Sequence, residues 1–105
     1  MPFDNTPLRD PVTERIGRAI ACLEERGWCQ RESSDADGRV CLVGAFWGSS
    51  IAGDDPAITN EALRRVAHLV GYDVYCLGQW NDSLLALAGK WAVLDVLRRA
   101  AAGVE

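Results

Sequence analysis

Four cysteines, Cys22, Cys29, Cys41 and Cys76, and a single histidine, His68, are the side chains with the strongest metal-ligating and nucleophilic chemistry. Structural zinc sites are assembled from two tight ligand pairs, and no Cys-x-x-Cys pair occurs here, so the spacing predicts neither a metal nor a cofactor. A reduced, buried thiol packs as a small apolar group. That is the expected role of Cys29 and Cys41, which folding of the chain between them would bring together. Asp35 and Asp37 in SSDADGR open in the manner of a calcium loop. The further oxygen ligands and the closing glutamate are missing, because the chain runs into Arg39, Val40 and Cys41. Ser49 and Ser50 follow Gly48 without a G-x-S-x-G elbow, and no motif ties a base to them. No catalytic residue is assigned.

The elements that must position these residues are read from periodicity and capping. Asp10 followed by Pro11 is a helix start, and Gly27 is a helix stop. Between them Val12, Ile16, Ala19, Ile20 and Leu23 keep the 3.6 period, with Glu14, Arg15, Arg18, Glu24 and Glu25 on the other side. This predicts a helix from about Pro11 to Arg26. Trp28–Glu32 and Arg39–Cys41 flank a turn-rich segment with Asp37-Gly38, which predicts a small β-hairpin. Leu42–Ala52 reads as a short core helix in preference to a buried strand, on its length and small residues. GDDPA (53–57) reads as a turn, and Asn60 as the cap of a second amphipathic helix through Leu63, Val66, Ala67 and Val70, ended by Gly71. Residues 72–82 read as an irregular connector. It finishes in Asn81-Asp82-Ser83, good N-cap residues, so Asn81 or Asp82 is expected to cap a final helix with a possible break at Gly89.

Length and composition set the class. A chain of 105 residues that is 49% hydrophobic and 25% charged fits one folded domain. The expected organisation is a flexible lead-in over residues 1–10 and a single helical domain over 11–102. The lead-in has no apolar run of the signal-peptide kind, and Leu84–Leu94 is far shorter than the roughly 20 residues of a membrane span. A cytoplasmic setting with no membrane partner is expected. Eleven basic against fifteen acidic side chains give a net charge of -4. Nucleic-acid binding, which needs a concentrated basic face, is disfavoured.

Four tryptophans, Trp28, Trp47, Trp80 and Trp91, are many for so small a domain. Each combines a large apolar area with one N–H to satisfy, and tryptophan also anchors binding surfaces. The last helix carries more apolar residues than one core-facing stripe can bury. Leu84, Leu87, Trp91 and Leu94, with Leu85 beside them, therefore form the expected interaction surface, for a protein partner or for a second copy of the chain.

GWCQ (27–30), DGRVCLVGA (37–45) and WND (80–82) together give a pattern. From about Ile16 to Ala101 the chain resembles a family of short uncharacterised proteins of actinobacteria and their bacteriophages. SLLALAGKWAVL (83–94) departs from it in being longer and more apolar. The resemblance implies a bacterial or phage setting and no particular activity. It also implies that Trp28, Cys29, Cys41, Trp80, Asn81 and Asp82 form one cluster, read here as packing in preference to a pocket.

The sequence thus predicts a mainly α single domain, a bundle of three to four helices with a minor β-hairpin. The expected function is non-enzymatic protein interaction, as a modulator of a host protein. Two rival readings remain: a ligand- or metal-binding module or enzyme built on the Trp28/Cys29/Cys41/Trp80/Asp82 cluster, and a nucleic-acid regulator using Arg64, Arg65, Arg98 and Arg99.

Overall fold

The computed structural model of the chain describes residues 10–103. Five helices and a 3-10 turn follow one another: α1 (Pro11–Arg26), α2 (Leu42–Gly48), α3 (Pro56–Val70), the 3-10 turn Val74–Cys76, α4 (Leu77–Ser83) and α5 (Gly89–Ala102). The fold is mainly helical, with five helices where three or four were expected. The lead-in expected over 1–10 lies outside the described residues except for Asp10, whose carboxylate accepts from Thr13 N at 2.7 Å and caps α1.

α1 is the central element and packs against α5, α2 and α3. Its stripe of Ile16, Ala19, Cys22 and Leu23 is buried, and Gly27 ends it at φ 89°. Phe46 and Leu42 from α2, Val66 from α3, Leu77 from α4 and Val93, Leu94 and Leu97 from α5 complete one core. α3 begins at Pro56, not beyond Asn60. Asp55 accepts from Ala57 N at 2.9 Å, repeating the Asp-Pro start that opens α1, and Asn60 is an exposed residue of the helix.

The hairpin is not formed, and no strand occurs among the described residues. Val40 instead makes isolated bridges, parallel to Trp28 and antiparallel to Ser34. The turn itself follows its chemistry: Asp35 accepts from the N–H groups of Asp37 and Arg39, and Gly38 supplies φ 82°. The first arm, however, leaves after Cys29. Arg31 takes a left-handed φ of 72°, and Gln30 and Arg31 bond to the end of α4. The Arg31 backbone N–H is therefore spent away from any ladder.

The final helix also starts differently. The connector holds α4, and Asn81-Asp82-Ser83 close that helix instead of opening the next. α5 begins at Gly89 without a side-chain cap, after a backbone turn in which Ala88 N and Gly89 N donate to Leu85 O at 3.1 and 2.7 Å.

Candidate functional site

Of the clustered residues, Trp28, Cys29 and Asp82 bond to Asn81, which is completely buried on α4. Its Oδ1 accepts from Trp28 Nε1 at 2.7 Å and from Leu42 N at 3.0 Å. Its Nδ2 donates to Cys29 O at 3.1 Å and to Asp82 Oδ1 at 3.2 Å. Leu42 is the first residue of α2, whose early N–H groups lack intrahelical acceptors. Asn81 thus caps α2 across space, with the Cys41 thiol accepting from Gly44 N at 3.3 Å. Asp82 accepts from Arg31 N at 2.8 Å, so neither residue caps α5.

Close approach explains the small residues of the same segments. A Cβ at Gly44 would lie 1.8 Å from Ser33 O, and one at Gly89 would lie 2.1 Å from the Trp28 ring. The indole therefore lies on the start of α5 while its N–H reaches α4. Trp80 is half-buried against the core.

Cys29 and Cys41 are buried free thiols, as is Cys22, while Cys76 is partly exposed. The Cys29 thiol donates toward Arg39 O at 3.3 Å and Glu32 O at 3.4 Å. Burial, and then the nearby Asp35 and Cys41, push it above the ordinary thiol range. It is protonated at neutral pH, which makes it a poor nucleophile and a poor ligand. Among the described residues no three His, Cys, Asp or Glu side chains are grouped to hold a metal ion.

Two surface recesses lie elsewhere. One of about 500 Å³ is bordered by Thr13, Glu61, Arg65, His68 and the end of α5, and one of about 220 Å³ by Arg15, Arg18, Asp54 and Ile58. Neither is lined by a residue of the cluster.

The second recess adjoins a polar network that the sequence reading missed. Arg15 is only 2% exposed. It donates to Thr59 Oγ1 at 3.0 Å, Ser49 Oγ at 2.9 Å, Ser50 Oγ at 3.3 Å and the Phe46 carbonyl, and lies 5.3 Å from the Phe46 ring centroid. Arg18 forks onto Asp54 at 2.8 and 2.7 Å and donates to Ser49 O. These bonds fasten the 49–54 segment to α1. A signal existed: Val12, Arg15, Ala19 and Cys22 share helical spacing, which puts Arg15 on the inner stripe.

The expected interaction surface divides. Leu85, Leu87 and Trp91 are 79%, 97% and 65% exposed. Leu84 is half-buried against the core. Leu94 does not belong to the surface: it is 1% exposed, because it falls on the buried stripe of α5 with Val93, Leu97 and Ala100. The Lys90 ammonium lies 5.7 Å from the Trp91 ring centroid. The arginines of the nucleic-acid reading each have a carboxylate within 4 Å: Arg64 with Glu61, Arg65 with Asp10, Arg98 with Glu24 and Arg99 with Asp95.

A family model matches residues 7–103, and its description is a family of unknown function, DUF6197. No curated protein matches the chain. No solved structure matches it either.

Proposed function

Since the chain belongs to this family of unknown function, we propose its role from geometry: a non-enzymatic protein-interaction domain that associates through the corner between α4 and α5, with a second copy of the chain as occupant. The observation that carries the reading is the exposure of Leu85, Leu87 and Trp91 next to segments whose other apolar residues, Leu77, Val93, Leu94 and Leu97, are buried in the core. These three side chains offer roughly 400–500 Å² of apolar surface, within the size of a functional patch. Apposed across a two-fold axis, they would bury roughly 900 Å² in total, at the low end of specific interfaces. The dimer is therefore weak and reversible, not obligate.

The setting belongs to the same proposal: the cytoplasm of an actinobacterium or of its phage-infected cell, supported by the motif resemblance. No helix among the described residues is long and apolar enough to cross a membrane. A host protein with a matching apolar face would compete for this corner. Sedimentation velocity over a wide concentration range tests the reading. Wild type should show a monomer–dimer equilibrium, and Trp91→Asp a monomer with unchanged circular dichroism. A wild type monomeric up to about 1 mM, far above the micromolar range of weak specific complexes, overturns it.

A further inference from the structure

We infer that Gln30 is a positioning residue that fixes the shape of the α4–α5 corner. Its Nε2 lies 2.8 Å from Leu84 O, 3.2 Å from Asp82 O and 3.3 Å from Asn81 O. Carbonyls only accept, so the atom among them is the amide donor. These are carbonyls at the C-terminus of α4, which lack intrahelical donors. The helix's own closing bond, Leu84 N to Asn81 O, is long at 3.4 Å. Gln30 supplies the missing donor from a different part of the chain.

The other end of the corner is fixed by the same segment. Gly89 lies under the Trp28 ring. The exposed leucines 85 and 87 thus sit in a short bridge held at Leu84 by Gln30 and at Gly89 by Trp28. The left-handed turn at Arg31, with Arg31 N on Asp82 Oδ1, carries the chain around this attachment. A surface held in one shape before binding loses less conformational entropy on association. Gln30 acts through the backbone that carries the exposed apolar side chains.

The inference rests on the corner being the docking surface, and two measurements on Gln30→Leu separate the claims. Leucine keeps much of the volume and removes the donor. Hydrogen exchange of the amides at residues 85–89 should rise about five- to tenfold, with the amides of α1 and α3 unchanged. The dimer dissociation constant should rise by a similar factor while circular dichroism stays that of wild type. Unchanged exchange at 85–89 overturns the clamp. Faster exchange with an unchanged dissociation constant overturns its part in association. If Trp91→Asp leaves association intact, the docking surface is wrong, and the exchange data still decide whether Gln30 orders the corner.

Discussion

Asn81 shows how one side chain can stand in for several backbone partners. Four groups from three segments, the Trp28 indole, Leu42 N, Cys29 O and the neighbouring Asp82, converge on a single amide with no solvent contact. Alanine there would leave a buried donor, a buried acceptor and the part-buried Trp28 N–H unpaired. Asn81→Ala should therefore cost at least about 3 kcal/mol in denaturant unfolding, since each orphaned buried group costs about 1–3 kcal/mol. A loss below about 1 kcal/mol would show that water or rearrangement satisfies these groups. The sequence marks Asn81 only as a capping residue, and capping is indeed what it does. The helix it caps is α2, thirty-nine residues back along the chain, a pairing that local spacing cannot reveal. Arg15 was more legible: its place on the stripe of Val12, Ala19 and Cys22 was overridden by its charge, because a guanidinium is expected outside unless enough acceptors await it.

At the scale of elements, α1 was readable to the residue, because its cap, first-turn proline and closing glycine are all local signals. The start of α3 carries the same Asp-Pro signal and was read as a turn. The hairpin failed because its turn chemistry is local while the fate of its arms depends on α4. Two glycine substitutions separate backbone freedom from close packing. Gly17→Ala, on α1 with nothing within 4 Å of the new methyl, should raise stability by about 0.5–1 kcal/mol. Gly44→Ala should lower it by about 1–3 kcal/mol, since Ser33 backbone occupies the space and α2 or the loop must shift. Equal effects from both in thermal unfolding would contradict the contact. The link between α1 and the 49–54 segment has its own signature. The Arg18 hydrogen bond, and then the Ile51 N–H, hold the Asp54 carboxyl well below the usual carboxylate range. A depressed folded-state value means that this stabilisation is present above about pH 4, the unfolded value, and is lost as pH falls below it. Wild type should lose stability more steeply than Asp54→Asn between about pH 4 and pH 2. Parallel acid-unfolding profiles would remove the account.

For the molecule as a whole, the residues around Asn81 act as joints between segments. Trp28, Gln30, Arg31, Asn81 and Gly89 join three segments, and what they hold outward is the apolar corner of Leu85, Leu87 and Trp91. The apolar excess of the last segment was legible in composition. Its surface was not, because α5 starts only at Gly89, leaving Leu84, Leu85 and Leu87 outside it, and Leu94 falls on the buried stripe with Val93 and Leu97. Trp47 and Ile51, 58% and 63% exposed near the end of α2, offer a competing apolar surface. The four indole N–H resonances of the wild-type protein distinguish the two directly. Followed by two-dimensional nuclear magnetic resonance from dilute to concentrated solution, and assigned by Trp→Phe variants, the Trp91 signal should move with concentration while the Trp28 signal, bonded to Asn81, stays fixed. A Trp47 signal that moves in place of Trp91, or four signals that never move, would contradict association through the α4–α5 corner.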